Sequence, residues 1–337
     1  MSEIKGLGNP EVRKVFLEAR THFRTGSTSP EAFLARNAQF RSRLATAELG
    51  EAASLAETLE KTASRTRSHS FRSIAGFARG TLAFWMGDFE RSRESLAALG
   101  ENPEEEAHSL LLRQSLECCR QGAAYRAWGL WFLGREEECR AELARILKWA
   151  REENSPLQGF FQTFACNLYR YLGDVEAVLE KTEVLLASAS RDRTAAWVPT
   201  GRAFQGWAMS RQGKPGGISM ILESLPMWRS VHRVAENVLL SLLSEAYLLQ
   251  GDTRRSRGVA EGALRFSGRT GTRFYDAELW RIRGECALRE GEPLQARRDF
   301  RRAWEIARNQ GARAIEERAK AAFRQLGPLE EEFVIPS

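Results

Sequence analysis

Two sets of residues in this chain are equipped for chemistry, and the first set leads away from catalysis. It comprises the thiols and imidazoles: Cys118, Cys119, Cys139, Cys166 and Cys286, with His22, His69, His108 and His232. A bound zinc needs ligands at set spacings, as in C-x-x-C or H-E-x-x-H, and no such pair occurs. The cysteines are odd in number and fall inside apolar helix-like stretches, so they read as reduced thiols serving as small core hydrophobes. The stretch "GKPGG" at 213–217 lacks the first glycine, the spacing and the hydroxyl of a phosphate-binding loop. No acid, base and nucleophile fall into a catalytic pattern. The sequence therefore predicts a chain that is not an enzyme and carries no metal and no cofactor.

The second set is aromatic and arginine-rich, and it recurs. Six phrases begin with a small residue and end on a turn glycine: "GTLAFWMG", "AWGLWFLG", "CNLYRYLG", "GWAMSRQG", "SEAYLLQG" and "GECALREG". Counting back two, three, six, ten and thirteen residues from each glycine selects one helical face. In the early phrases that face carries Phe77, Phe84 and Trp85, then Trp128 and Trp131, then Asn167, Arg170 and Tyr171, then Trp207 and Arg211. Later phrases replace the rings with Glu245, Leu248, Glu278, Arg281 and Glu285. Rigid rings beside arginine suit a recognition surface, because they bury large area at small entropic cost. The same rings would equally serve as packing between adjacent helices.

The spacing of the glycines says what must position that face. Gly87, Gly134, Gly173, Gly213, Gly251 and Gly291 follow one another at intervals of 47, 39, 40, 38 and 40, and Gly50 lies 37 before the first. A period near forty belongs to helical solenoids. Each glycine separates two apolar-periodic segments and can take the positive φ that ends a helix. Asp88, Asp174 and Asp252 directly after three of them can cap the next helix. Seven residues before the glycines stand Gly80, Ala127, Cys166, Gly206, Ser244 and Gly284, and five after them Ser92, Cys139, Val178, Ile218, Ser256 and Ala296. Compact residues on both strokes let two helices cross closely as an antiparallel hairpin.

The prediction is all-α: a right-handed superhelix of antiparallel helical hairpins, about seven repeats with terminal capping helices. Sixteen helices are predicted, among them 10–24, 30–48, 51–65, 105–133 with a break near Gly122, 195–212 and 273–290. A capping helix is expected within 1–30, repeats over 31–311, a second cap over 312–327 and a flexible acidic tail over 328–337. At 337 residues, with 43% apolar residues, the chain can bury an extended core. It holds no apolar run of membrane-spanning length, and its first residues lack a secretory apolar stretch, so a cytoplasmic location is expected. A net charge of +6 is mild for this length and weak support for nucleic acid.

The small residue seven before a turn glycine and the second one five after it, as in "GTLAFWMGDFERS" and "SEAYLLQGDTRRS", resemble the tetratricopeptide repeat. The period is longer than that family's, its closing proline is mostly missing, and Arg43 fills the small position before Gly50. Residues 4–327 further resemble the tetratricopeptide-like C-terminal region of large bacterial signalling ATPases, adenylate-cyclase-linked regulators and helix-turn-helix regulators. "GNPEVRKVFLEAR", "WGLWFLGREEECRAEL", "LSLLSEAYLLQGD" and "FYDAELWRIRGECAL" carry that similarity. The resemblance implies a protein- or peptide-binding scaffold in signalling, with the partner in the concave groove lined by the ten residues from Phe77 to Arg211 named above. One alternative is a small-molecule sensor, since a related helical-repeat region in maltotriose-responsive transcription activators binds an inducer. Another is RNA binding, which would need a continuous basic stripe that Glu245, Glu278 and Glu285 interrupt.

Overall fold

The computed structural model describes residues 28–99, 109–155, 157–191 and 195–326. The expected helix at 10–24, the acidic run at 101–106 and the tail at 328–337 lie outside them. Among the described residues there are fifteen α-helices and no strand. They form seven hairpins: α1 (Pro30–Ala45) with α2 (Leu49–Ala63), α3 (His69–Met86) with α4 (Phe89–Ala97), and α5 (Ser109–Phe132) with α6 (Glu136–Glu152). Then follow α7 (Gln158–Leu172) with α8 (Val175–Arg191), α9 (Val198–Arg211) with α10 (Gly217–Val231), and α11 (Glu236–Leu249) with α12 (Thr253–Thr270). The last hairpin is α13 (Asp276–Arg289) with α14 (Pro293–Asn309), and a single helix, α15 (Arg313–Arg324), closes the stack. Each helix packs chiefly on its neighbours in sequence.

Local chemistry accounts for the boundaries. All six turn glycines of the repeated phrase lie at φ between 71° and 85°. At Gly87 the chain reverses through a closing pair of hydrogen bonds, Gly87 N–H to the Phe84 carbonyl at 3.0 Å and Asp88 N–H to the Ala83 carbonyl at 2.9 Å. The carboxylates of Asp88, Asp174 and Asp252 then accept from the N–H groups of Arg91, Ala177 and Arg255 at 3.2, 3.0 and 2.9 Å. The first hairpin departs from this scheme. It turns at Ala47 with φ 62°, while Gly50 sits in the first turn of α2, where a Cβ would touch nothing. Arg43 bridges that turn by pairing with Glu48 and Glu51. The break expected near Gly122 is absent, since α5 runs unbroken through it.

The compact residues do close the hairpins. Ser244 and Ser256 exchange hydrogen bonds with each other's carbonyls at 2.8 Å across α11 and α12. Gly80 faces Leu96, and Gly284 faces the Phe300 ring, each at a distance that leaves no room for a methyl group. In the fifth hairpin the contact is made one residue earlier than expected, by Gly217 and not Ile218. A Cβ on Gly206 would stand 2.5 Å from the Gly217 carbonyl oxygen, and one on Gly217 would stand 2.4 Å from the Gly206 carbonyl oxygen. Both obstacles are backbone, so neither can swing aside. All five cysteines are free, and four are buried; burial pushes the Cys139 and Cys166 thiols up to about 12, which keeps them protonated.

The stack does not stay open. The turn ends of the first hairpins meet the inter-hairpin connections of the last ones. Leu49 touches Gly271, and the Phe274 N–H donates to the Trp85 carbonyl at 3.2 Å. Arg313 lies against Gly134, and α15 packs on α5. The main core cluster thus runs from Phe33 to Ile315, with two smaller clusters around Ile282 and Phe300. Gly206→Ala is expected to lower unfolding free energy by about 1–3 kcal/mol, because overpacking at a backbone contact exceeds the helix-propensity gain. Urea unfolding measures it, and an unchanged midpoint would mean that α9 and α10 separate without cost.

Candidate functional site

Of the ten residues expected to line an open groove, Phe84, Trp85 and Trp128 share ring contacts, Trp131 stacks on Tyr171 beside Arg170, and Arg211 lies over Trp207. Asn167, in contrast, bonds only within its own helix. The structure also corrects their exposure. Phe77, Phe84, Trp85, Trp128, Trp131, Asn167, Arg170, Tyr171 and Trp207 are each no more than 6% exposed, and Arg211 alone is open to solvent. The physical reason is an intramolecular occupant. The connection before α13 inserts Phe274 and Tyr275 into the aromatic face. The Phe274 ring lies 4.8 Å from Trp85, 5.6 Å from Phe84 and 5.6 Å from Trp128. Tyr275 lies nearly parallel to Tyr171 at 6.2 Å, and Tyr171 in turn stacks on Trp131 at 3.9 Å.

Polar groups continue the seam beyond the rings. Arg170, on α7, has a side chain only 1% exposed. It donates to Ser241 Oγ at 2.9 Å and pairs with Glu245, both on α11. The Trp207 indole N–H donates to the same carboxylate at 2.8 Å. Burial works against the Arg170 charge, yet Glu245 and its other neighbours together offset it, so its affinity for its proton is raised. Arg170 Nη1 and the hydroxyls of Tyr171 and Tyr275 are buried without a well-formed hydrogen bond. Burial pushes both phenols up.

A second ionic group binds α13 to α15. The Glu278 carboxylate is 1% exposed and takes two hydrogen bonds from Arg281, at 2.8 and 3.0 Å, with Arg318 Nη1 3.5 Å away. Burial alone would push Glu278 up, but Arg281 and Arg318 outweigh it and hold the group down at about 2. Arg281 also pairs with Glu285 at 2.7 Å. The Arg318 guanidinium sits 5.4 Å over Trp131 and donates to the Tyr171 carbonyl. Arg318 therefore clamps the last helix to the aromatic seam.

Phe274, Tyr275 and Arg318 escaped the sequence reading. Phe274 and Tyr275 stand 17 and 16 residues before Gly291, one helical step beyond the last position counted, so a longer stripe would have included them. Nothing in the sequence ties Arg318 to Trp131, because they are 187 residues apart. What remains open on the inner face is a charged floor. Arg211 is exposed over Trp207, Glu245 is 22% exposed, and Arg281 and Glu285 are half-buried. Such a floor can hydrogen-bond and pair charges. Among the described residues, no cluster of His, Cys, Asp and Glu is arranged to hold a metal. Among them, too, no helix is long and apolar enough to cross a membrane.

This geometry defines a tetratricopeptide-like α-solenoid that closes on itself. Solved structures with the same fold include a Rap protein complexed with competence and sporulation factor, at a TM-score of 0.57 and 10% identity, covering 96% of this chain and 95% of that one. The Cut9–Hcn1 hetero-tetramer of the APC/C is similar at a TM-score of 0.54 and 11% identity, covering 94% of this chain and 54% of that one. No family profile matches the chain. In sequence it is 28% identical over 212 residues to an uncharacterized protein of Rhizobium meliloti (strain 1021), covering 61% of this chain. The match spans 20% of that relative's length.

Two outcomes test the ionic seam. Glu245→Ala leaves the Arg170 charge buried and unpaired, and is expected to cost on the order of 3 kcal/mol in chemical unfolding; Glu245→Gln, which keeps an acceptor for Trp207, costs less. Glu278 is held below its unfolded value of about 4.3, so its contribution is complete above that pH. It is lost as pH falls toward about 2. Thermal melts of Glu278→Gln, weaker at neutral pH, should show a shallower loss than wild type across that acid window.

Proposed function

We propose that this solenoid is a non-catalytic recognition scaffold for a protein or peptide segment, acting within a bacterial signalling or regulatory assembly. The segment binds the charged floor of the inner face, formed by Trp207, Arg211 and Glu245 and, on the next hairpin, by the Arg281–Glu285 pair. The aromatic half of that face is occupied by the chain's own Phe274 and Tyr275. The observation that carries this reading is Glu245: it is held in place by buried Arg170 and by Trp207, yet its side chain is part-exposed to solvent. A carboxylate fixed from behind loses little entropy on accepting a partner's donor, and Arg211 beside it offers a donor to a partner's carbonyl or carboxylate.

Two comparisons support the reading without deciding it. A solved structure of similar fold carries a bound factor. The Rhizobium meliloti relative is about five times as long as the matched stretch, which fits a sensor region built into a larger regulator. The RNA alternative draws no support from the inner face, where Glu245 pairs with Arg170 and Glu278 and Glu285 both pair with Arg281.

A phage-displayed peptide library panned on the immobilised chain tests the proposal. Enriched peptides should lose at least about tenfold in affinity, about 1.4 kcal/mol, on the double variant Arg211→Glu, Glu285→Lys. Both positions lie at or near the surface, so the fold should persist, and circular dichroism checks that it does. Absence of enrichment, or peptides indifferent to the charge reversals, would remove the inner face from consideration.

A further inference from the structure

A cavity of about 520 Å³ lies away from the inner seam, at the junction of the fifth and sixth hairpins. It opens between the α10–α11 connection and α12, beside the place where α1 packs on residues 233–235. Its floor is apolar and made by Leu240, Val259 and Phe266. Gly262 deepens it by contributing no side chain: a Cβ there would meet nothing closer than Arg265 Nη2 at 3.8 Å. The rim is cationic. Arg229, Arg233 and Arg269 are all exposed, and Glu236 is the only acidic residue in the lining.

The charges at this rim are not equivalent. Glu236 is nearly buried and engages Arg229 Nε at 2.7 Å, so that pair is internally neutral. Arg233 lies over the Phe266 ring at 5.9 Å and makes no ion pair among the described residues; neither does Arg269. Elsewhere the surface arginines of this chain commonly pair within their own helix, as Arg140 does with Glu136 and Arg301 with Glu305. Arg91, Arg151, Arg211 and Arg254 are likewise exposed without an ion pair among the described residues, but Arg233 and Arg269 share the rim of one recess over an apolar floor. They leave a positive field with no internal partner at the mouth of a recess.

We propose that this recess binds a small amphipathic carboxylate, with its aliphatic or aromatic body on Leu240, Val259 and Phe266 and its anionic head between Arg233 and Arg269. The volume falls in the range of small-ligand sites, about 300–1,000 Å³, and an apolar floor of three side chains lies under a charged rim. Guanidinium groups match a carboxylate geometrically and lose less to desolvation than an ammonium would. A neutral apolar molecule would leave the two arginines unused, and an inorganic anion would leave the floor wet. Only a molecule with both parts satisfies both surfaces.

Isothermal titration of the full chain with decanoate tests the assignment. Wild type should show saturable binding that weakens with added salt. Arg233→Glu with Arg269→Glu should weaken it at least about tenfold. Gly262→Leu should abolish it by filling the recess, and because leucine favours helix over glycine, that variant should remain folded by circular dichroism. Absence of saturable heat in wild type, or affinity within about twofold of wild type in either variant, overturns the proposal.

Discussion

Phe274 and Tyr275 occupy the position on which the rest of this molecule depends. A solenoid of hairpins ordinarily buries only the faces between neighbouring repeats, because each unit touches little beyond its neighbours. Here two rings from the connection before α13 reach across to helices α3, α5 and α7, which lie more than a hundred residues earlier in the chain. Burying one such ring is worth roughly 2–3 kcal/mol, and the rings they meet are buried in the same step. Removing the insertion would expose Trp85, Trp128 and Tyr171 together, so the open form would carry a large wet aromatic surface.

Closure brings charges as well as rings into the interior. Arg170 and Glu278 could not be buried alone, since an unpaired ion out of water costs several kcal/mol. Each is answered from another part of the stack: Arg170 on α7 by Glu245 on α11, and Glu278 on α13 by Arg318 on the closing helix α15 in addition to its own helix's Arg281. These pairs are demanding in geometry, and a shift of either half of the stack would break them. The aromatic insertion supplies the attraction; the ion pairs set the register.

Under the proposed function, recognition moves from where the rings are to where the charges surface. The inner face is sealed over its aromatic half and open over the floor around Glu245 and Arg211. The edge recess between Arg233 and Arg269 is separate and lies beside a contact between the first hairpin and the closing half. The two candidate surfaces differ in character, one a balanced array of acid and base and the other a cationic rim over an apolar floor.

The repeat itself was legible along the chain because its determinants are local. Turn glycines at positive φ, the capping aspartates and the compact residues at hairpin crossings act over a few residues or one hairpin, and they appear as a period near forty. The first hairpin was misread at Gly50 because Ala47 adopts the left-handed turn, which side-chain type alone does not announce. The helical face carrying Phe77 to Arg211 follows from the same period, but whether it met water was not a local matter. That depended on how far the stack curls. Curl is the sum of small rotations at every hairpin crossing, and it decided that Phe274, Tyr275 and Arg318 would arrive at Trp85, Tyr171 and Trp131. Sequence alone determined the hairpins and their inward face; tertiary structure alone determined what covers that face, because the covering contacts join residues whose separation along the chain leaves no periodic trace.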